Sequence, residues 1–215
     1  MIHKSVNNLI AIQKEIQSKK DNIQIIAVSK TFPIKQIYPL INHGHKHYGE
    51  NKVQEALEKW VDIKNDFPDI KLHLIGKLQT NKVKYILPLF DYIHSLDNIK
   101  LAEKISLEQK KKNSKPKIFI QVNIGQESQK SGIDPMNISS FLDNCTHRLN
   151  LDIVGLMCIP PLSGDTNKFF KDMLNLKNQH NLNNLSMGMS SDYIEAINHE
   201  ATFVRIGSKI FGDRD

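Results

Sequence analysis

The feature that most constrains this chain of 215 residues is a regular alternation of short apolar segments with longer amphipathic ones. Short apolar runs bounded by turn residues are typical of buried parallel strands, and an apolar period of about 3.6 residues is typical of helices packed on a sheet. The pattern predicts eight strands, at residues 23–29, 45–49, 72–76, 92–95, 117–123, 153–157, 185–188 and 203–207.

A predicted helix follows each of these strands. The helices are predicted at residues 33–44, 51–65, 80–90, 99–112, 135–148, 167–180 and 192–199, with a short closing helix from residue 209. Alternating strands and helices imply a parallel sheet, and eight such units in about 200 residues imply a (β/α)8 TIM barrel. An extra helix at residues 4–20 precedes the first strand, and we predict a single α/β domain over residues 1–215.

An open, doubly wound sheet is the structural alternative that the alternation allows. Such a sheet would place a glycine-rich phosphate loop after its first strand. The residues at that point are Ser29-Lys30-Thr31-Phe32-Pro33, and neither G-x-G-x-x-G nor G-K-[ST] occurs in the sequence. The closed barrel is therefore the predicted architecture.

The formal net charge of +6 suggests nucleic-acid binding, but the distribution of the charges does not favour it. The densest basic run, Lys110-Lys111-Lys112, lies at the end of a predicted helix, where cations interact favourably with the helix dipole. No apolar run approaches the ~20 residues that a membrane span needs, and the N-terminus lacks a secretory signal. Cys145 and Cys158 lie on separate predicted elements. We therefore expect free thiols and a cytoplasmic protein that binds neither nucleic acid nor membrane.

The functional side chains of a (β/α)8 barrel come from the carboxyl ends of its strands. Lys30 occupies such an end, directly after the apolar residues 25–28. Desolvation there would lower the pKa of the lysine and favour the neutral amine, which attacks an aldehyde to form an imine. A lysine that extends to the solvated rim is the alternative explanation.

Two hydroxyl residues follow the seventh predicted strand. Ser190 and Ser191, preceded by Met189, lead into a predicted helix whose N-cap is Ser191 or Asp192. A helix N-terminus flanked by hydroxyl groups can bind an anion. Capping of the helix would by itself also explain these residues.

The last predicted strand ends in a second anion-binding turn. Arg205, Gly207 and Ser208 lie there, and the loops after the seventh and eighth strands are the habitual phosphate site of such barrels. Gly207 would let the backbone approach an anion, and Arg205 would point into the mouth of the barrel. Two such turns on neighbouring strands predict a phosphate site more specifically than either turn alone.

Histidines recur with a period of two at His43, His45 and His47. Two of them could share a strand face and bind a metal. No carboxylate or cysteine joins them locally, so we expect hydrogen-bonded histidines instead. We likewise expect structural roles for His73 and His94, which lie on predicted strands.

Ordered sequence motifs extend along almost the whole chain after its first helix. They are Ala27-Val-Ser-Lys30-Thr, Tyr48-Gly-Glu-Asn51 with Gln54-Glu55, His73-Leu-Ile-Gly76-Lys-Leu-Gln79-Thr-Asn81-Lys82, Gln121-Val-Asn123, Gly155-Leu-Met157, Leu185-Ser-Met-Gly-Met-Ser-Ser-Asp192 and Val204-Arg-Ile-Gly207 with Ile210-Phe-Gly212. In this order the motifs resemble those of the YggS/PROSC family of proteins that bind pyridoxal 5′-phosphate (PLP), also called PLP homeostasis proteins.

The resemblance implies a fold, a cofactor and a set of binding residues. The family is similar to the N-terminal barrel of alanine racemase, and its cofactor is PLP. The implied cofactor-binding residues are Lys30, Asn51, Asn81, Met189, Ser190, Ser191, Arg205, Gly207 and Ser208. Among them, Lys30 would hold PLP as a Schiff base and Arg205 would face the pyridine nitrogen. Ser190, Ser191 and the turn at Gly207 would bind the phosphate.

Asn51, Asn81 and Lys82 would line the mouth of the barrel, and Lys82 could bind PLP a second time. Two departures from the family pattern affect only the rim. Lys52 stands where an aromatic residue is frequent, and His199-Glu200-Ala201 replaces a small Gly-Ser segment.

The implied position of Arg205 bears on whether the protein is an enzyme. An arginine at the pyridine nitrogen keeps that nitrogen unprotonated, which makes the ring a weaker electron sink. Alanine racemase takes its second base from a C-terminal domain, and this sequence ends at Asp215, just after the barrel. The resemblance therefore implies a monomer that buffers PLP and supplies it to apo-enzymes without robust catalysis. A weak PLP-dependent amino-acid racemase is the alternative, and a nucleic-acid-binding module is a third that rests on charge alone.

Overall fold

Eight parallel strands form a closed barrel in the computed structural model, which describes residues 2–212. The strands are β1 Gln24–Val28, β2 His47–Glu50, β3 Lys71–Leu74, β4 Tyr92–Leu96, β5 Lys117–Val122, β6 Asp152–Cys158, β7 Asn184–Ser186 and β8 Phe203–Ile206. Each strand pairs with the next, and β8 pairs with β1. The ends of the predicted domain, residues 1 and 213–215, lie outside the described residues.

Helices cover the outside of this barrel. Within residues 2–212 they are α1 Lys4–Gln17, α2 Ile34–Asn42, α3 Val53–Asp66, α4 Val83–Ile86, α5 Ile99–Lys112, α6 Ile138–Asp143, α7 Thr166–Gln179, α8 Tyr193–Asn198 and α9 Ser208–Phe211. The extra helix α1 packs against α2 and α9, and Asn8 Nδ2 donates to the carbonyl of Ile210 over 3.0 Å. The predicted (β/α)8 barrel with an N-terminal helix is confirmed. In this described part of the chain, no helix is long and apolar enough to cross a membrane.

Two predicted helices differ from those observed. The helix predicted at residues 80–90 is a 3₁₀ turn at Thr80–Lys82 followed by α4, which stops before Pro88 because proline cannot continue the hydrogen-bond ladder. The helix predicted at residues 135–148 is a 3₁₀ turn, then α6, then a π-helical turn at Asn144–Arg148. In that last stretch the Thr146 hydroxyl donates to the carbonyl of Leu142 over 2.8 Å, and such side-chain bonds compete with a regular helix.

The seventh strand is shorter than predicted and ends at Ser186 rather than at residue 188. Gly188 has a φ of +86°, which takes the chain out of the extended conformation. A Cβ atom at this position would lie 2.6 Å from the Cβ of Ala196, so the turn also brings α8 close to the strand. This early turn is what directs the following residues, 189–191, across the mouth of the barrel.

The interior of the barrel holds aromatic and histidine rings beside its apolar side chains. The apolar cluster consists of Ile26, Phe119, Met157 and Phe203, with Tyr92 and Val154 packed against it. His73 stacks on Tyr92 at 4.3 Å and His94 stacks on Phe119 at 4.4 Å between ring centroids. Both histidines are fully buried, and burial lowers the pKa of each well below 6.5. Both rings are therefore neutral in the folded protein.

These lowered pKa values predict that acid destabilises the fold. In the unfolded chain the two histidines bind protons at about pH 6.5 and below, whereas in the folded protein they stay neutral. Their contribution to the free energy of unfolding is therefore fully present above pH 6.5 and is lost as the pH falls below that value. Each should contribute up to about 1.4 kcal/mol per pH unit. Urea denaturation at a series of pH values measures the slope.

His94→Phe should reduce this slope, whereas His147→Gln serves as the control because the His147 side chain is 82% exposed. A slope that is the same in the wild type and in His94→Phe would contradict the assignment.

Candidate functional site

A cleft of about 640 Å³ opens at the carboxyl ends of the strands. Its lining consists of Val28, Lys30, Phe32, Asn51, Ile75, Gly76, Ile159, Met189, Ser190, Ser191, Arg205, Gly207, Ser208 and Gly212. Every predicted site residue except Asn81 is part of this lining. The cleft is therefore the place where the strand ends named from the sequence come together.

Asn81 lies apart from the cleft lining. It is exposed on the 3₁₀ turn Thr80–Lys82, as part of the β3–α4 connection. Lys82 lies on the same turn and is half-buried. The assignment of Asn81 and Lys82 to the cofactor site stays a prediction.

The turn that carries Lys30 is held from outside by α3. Lys59 Nζ donates to the carbonyl of Ser29 over 3.0 Å and to the carbonyl of Phe32 over 3.1 Å. The N–H of Thr31 donates to the carboxylate of Glu55, and Thr31 has a left-handed φ of +69°. Because a β-branched residue rarely adopts this conformation, the surrounding contacts must hold it in place.

A buried carboxylate completes this support. Glu50 is fully buried, and its Oε1 accepts from the Ser29 hydroxyl at 2.8 Å, from Trp60 Nε1 at 3.0 Å and from Lys59 Nζ at 3.1 Å. Burial raises the pKa of Glu50 above 4.5, and the charge of Lys59 opposes that change. The two charges thus stabilise each other beneath the Lys30 turn.

Two turns on neighbouring strands meet at one side of the cleft. The Ser190 hydroxyl oxygen, after β7, accepts from the N–H of Gly207 at 3.3 Å and of Lys209 at 3.4 Å, after β8. Both hydrogen bonds are long for N–H donors, which prefer about 2.9–3.0 Å. Two backbone N–H groups at the start of α9 therefore converge on the Ser190 hydroxyl oxygen. That the two turns bind an anion stays a prediction.

Asp192 occupies the N-cap position of α8, one of the two positions predicted, but its carboxylate does not cap the helix. Its Oδ1 accepts instead from the backbone N–H of Met189 at 2.6 Å. This contact closes the turn that follows Gly188 and fixes the backbone of residues 189–191. Side-chain capping of α8 therefore does not account for this segment.

Arg205 projects from β8 into the barrel beneath the cleft and is only 4% exposed. Its Nη1 donates to the carbonyl of Ser186 at 2.7 Å and to the Ser186 hydroxyl at 2.9 Å, and its Nη2 donates to the carbonyl of Cys158 at 2.8 Å. A guanidinium has five N–H groups, and these contacts use three. The side chain is thus fixed from below while it lines the cleft above.

The glycine at the end of β3 explains how Asn51 reaches the cleft. A Cβ atom on Gly76 would lie 2.2 Å from the carbonyl oxygen of Asn51, so only glycine permits the chains to approach this closely. The Oδ1 atom of Asn51 is buried and has no hydrogen-bond partner within the described part of the chain. An unused acceptor therefore lies at the edge of the cleft.

Sequence reasoning missed the apolar part of the lining, which includes Phe32, Ile75 and Ile159. Isolated apolar residues beside strand ends resemble ordinary core residues, so no signal in the sequence singled them out. Asn123, a polar residue at the end of β5, lies outside the lining. Its side chain forms hydrogen bonds with the backbone of Glu127 in the loop that follows.

The remaining predicted features have structural roles. His45 Nε2 lies 2.9 Å from the carbonyl of His47, which is a hydrogen bond within the strand region. Cys145 and Cys158 are free and buried, and burial raises the pKa of each thiol to about 12.

Comparison with known proteins shows which family this chain belongs to. A sequence profile of the alanine racemase N-terminal domain matches residues 6–215. The pyridoxal phosphate homeostasis protein of Aquifex aeolicus is 40% identical over 200 residues, which cover 89% of this chain and 87% of the relative. The protein of the same name from Vibrio cholerae is 35% identical and covers 100% of this chain and 97% of its own. This chain belongs to the pyridoxal phosphate homeostasis proteins, within the alanine racemase N-terminal-domain family. The resemblance stated from its motifs is confirmed.

Solved structures agree with this family. PipY of Synechococcus elongatus with PLP bound is 34% identical, with a TM-score of 0.86 over 97% of this chain and 100% of that chain. The same protein without PLP has a TM-score of 0.88. Alanine racemase from Bartonella henselae is 16% identical with a TM-score of 0.73 over 97% of this chain and 61% of that chain, which shows a shared fold.

The support under the Lys30 turn predicts a large difference between two lysine variants. Lys59→Met leaves the fully buried Glu50 without its cation and should lower the free energy of unfolding by about 3 kcal/mol. Lys46→Met is the matched control, because its ion pair with Asp69 is exposed to solvent, which screens the attraction, so its loss should have little effect. Urea denaturation measures both.

Adding Glu50→Gln to Lys59→Met should recover part of the loss, since the buried charge is then removed. Equal losses for Lys59→Met and Lys46→Met would show that the Glu50 pair does not support this turn.

Proposed function

We propose that this protein binds PLP in the cleft, covalently through Lys30, and that it buffers the cofactor and supplies it to apo-enzymes. The observation that carries the proposal is the composition of one cleft. A lysine, a fixed arginine and two converging anion-binding turns lie around it. An aldehyde, a pyridine ring and a phosphate are the three parts of PLP that these groups would bind.

The residues present fit this cofactor in three respects. Asn51 Oδ1 is a buried acceptor without a partner among the described residues, so a ligand donor could satisfy it. The heavy atoms nearest to a Cβ atom built on Gly207 belong to Val28, the closest at 3.5 Å, which is ordinary contact, so the protein's own packing does not demand a glycine there. The long hydrogen bonds to Ser190 leave the N–H groups of Gly207 and Lys209 able to donate to a phosphate oxygen instead.

The roles of the individual residues follow from these contacts. Lys30 would supply the neutral amine that condenses with the aldehyde carbon, whose oxygen leaves as water, and the apolar side chains of Val28, Phe32 and Ile75 limit bulk water around the amine. Ser190, Ser191, Gly207 and Ser208 bind the phosphate, and Met189 and Asn51 are further residues of the cleft lining. When bound, PLP supplies a reactive aldehyde conjugated to an electron-withdrawing ring.

The cleft also bears on catalysis. Among its described lining residues, Lys30 and Arg205 are the side chains that carry an ionisable group, and arginine does not lose its proton in proteins. A two-base stereoinversion needs a second acid–base group on the opposite face of the substrate. We propose that the protein therefore holds PLP without robust enzymatic activity, in keeping with relatives that are named homeostasis proteins.

We further propose that the protein acts as a single-domain monomer in the cytoplasm, with PLP-dependent apo-enzymes as transient partners and without nucleic acid or membrane. Two observations support this. Both cysteines are free thiols, as is usual in a reducing compartment. The large exposed apolar side chains of the described residues are spread over several elements, for example Val61 on α3, Leu107 on α5 and Met136 before α6.

Loss of the Lys30 amine tests the central proposal. Wild type incubated with PLP should show the visible absorbance of lysine-bound PLP, and borohydride should fix the cofactor to the peptide that contains Lys30. Lys30→Ala should lack both signals. Lys115→Ala is the control, because Lys115 is an exposed lysine in the loop before β5, at the amino ends of the strands. A wild-type protein that stays colourless with PLP, or fixation on Lys30→Ala at the wild-type ratio, would refute the proposal.

A stereochemical assay tests the proposed absence of robust catalysis. The PLP-loaded protein should racemise L-alanine and other amino acids no faster than free PLP does, because the cleft offers one acid–base group. Chiral chromatography after long incubation measures the D-enantiomer. Racemisation well above the rate of free PLP, and abolished by Lys30→Ala, would establish the racemase alternative instead.

A further inference from the structure

A chain of hydrogen bonds crosses the interior of the barrel. His47 Nδ1 lies 2.9 Å from His73 Nε2, His73 Nδ1 lies 2.9 Å from His94 Nε2, and His94 Nδ1 lies 2.9 Å from the Ser186 hydroxyl. The same hydroxyl accepts from Arg205 Nη1 at 2.9 Å. We call His47, His73, His94 and Ser186 the histidine column. It joins β2, β3, β4 and β7 to the arginine on β8.

The hydrogen bonds of the column, together with Arg205, run from one end of the barrel to the other. Arg205 lines the cleft at the carboxyl ends of the strands. His47 is half-buried at the amino end of β2 and lines a separate cleft of about 530 Å³ at the floor of the barrel. Between these ends, His73, His94 and Ser186 are fully buried. The column therefore connects solvent at the floor with the candidate site at the mouth.

The hydroxyl proton of Ser186 decides the direction of the hydrogen bonds in the column. A guanidinium only donates, so Ser186 Oγ accepts from Arg205 and keeps one proton to donate. Among the described residues, the acceptor within hydrogen-bond distance of that proton is His94 Nδ1, and a proton on Nδ1 would leave the hydroxyl without an acceptor. His94 therefore carries its proton on Nε2 and donates it toward His73 Nδ1. By the same step His73 donates from Nε2 to His47 Nδ1, and His47 carries its proton on Nε2. In this arrangement every donor within the column has an acceptor.

The surroundings keep the inner part of the column neutral. Tyr92 stacks on His73 and Phe119 stacks on His94. The nearby charge that acts on His94 is the cationic Arg205, which together with burial lowers its pKa. His73 has burial, His94 and His47 as its main influences, all of which also lower its pKa.

Charged groups surround the floor end as well. Burial is the largest influence on the pKa of His47 and lowers it below 6.5. The carboxylate of Asp91 opposes this change, and the ammonium groups of Lys71 and Lys46 add to it. The ring of His73 and the ring of Tyr92 also face His47. The column is therefore uncharged at neutral pH, and His47 is its point of contact with solvent protons.

We infer that the histidine column is a positioning device for Arg205, and that it makes the contact of Arg205 with a bound ligand depend on the protonation of His47 at the barrel floor. The ligand part of this inference rests on the proposed function. Ser186 touches the arginine directly, and His94 acts through Ser186. Neither residue lines the cleft itself.

Uptake of one proton at His47 has a defined consequence. The proton must go to Nδ1, which already accepts from His73, so two N–H groups would face each other unless His73 and His94 both reverse their tautomers. After that reversal His94 donates to Ser186 Oγ, which also receives Arg205. The hydroxyl proton of Ser186 then loses its acceptor within the column, and the hold on Arg205 weakens.

Two serine variants separate the column from general packing. Ser186→Ala removes the hydroxyl that joins His94 to Arg205, whereas Ser95→Ala removes a buried hydroxyl that has no hydrogen-bond partner among the described residues. In the apo-protein labelled with 15N-histidine, NMR should show His47, His73 and His94 as Nε2–H tautomers in wild type and in Ser95→Ala. Ser186→Ala should lose the wild-type signals of His94.

The same variants should differ in PLP binding. Ser186→Ala should raise the dissociation constant for PLP about five- to tenfold, as expected for one buried hydrogen bond, and Ser95→Ala should leave it within about twofold. Between pH 7 and pH 5, affinity should fall more steeply in wild type than in His47→Gln, which cannot take up the proton.

The outcomes are distinguishable. An Nδ1–H tautomer on His73 or His94, equal PLP affinities for Ser186→Ala and Ser95→Ala, or identical pH profiles for wild type and His47→Gln would each overturn the column. A wild-type protein that does not bind PLP would overturn the proposed function instead, and the tautomers of the apo-protein would still decide whether the column exists as inferred.

Discussion

The pairing of the first strand with the last is the interaction on which the rest of the structure depends. β1 and β8 are aligned so that Ile26 lies opposite Arg205 and Ala27 lies opposite Ile206. This register brings the end of β1, with Lys30, beside the turn that contains Gly207. Without closure of the barrel, Lys30 and the turns after β7 and β8 would belong to opposite edges of an open sheet. Closure therefore creates the site as well as protecting the strand edges.

Features that repeat along the chain could be predicted from the sequence. The alternation of strands and helices gave the closed barrel, because each unit of the pattern is local and the barrel repeats it. The positions of Lys30, Ser190 and Gly207 after strand ends could be predicted for a related reason, since strand ends can be located once the strands are known. That these residues share one cleft follows from the fold and required no knowledge of individual side-chain positions.

The features that escaped prediction depend on partners that are distant in sequence. The residues around His94 in the sequence do not indicate that it forms a hydrogen bond with Ser186. Those around Ser29 likewise do not indicate that its carbonyl accepts from Lys59. The ends of secondary-structure elements were misplaced where one residue overrode the local pattern, as Gly188 does after β7. Apolar residues that line a cleft, such as Ile75, have the same sequence signature as residues that fill a core.

The support of the Lys30 turn has a consequence for how quickly the site could exchange its occupant. The carbonyl groups of Ser29 and Phe32 bind Lys59, and the hydroxyl of Ser29 binds Glu50, so the turn is fixed by the protein and not by anything in the cleft. Binding then need not order this segment, and release need not disorder it. Under the proposed function, loading and unloading would then be set by bond chemistry at the Lys30 amine, with no folding step in between.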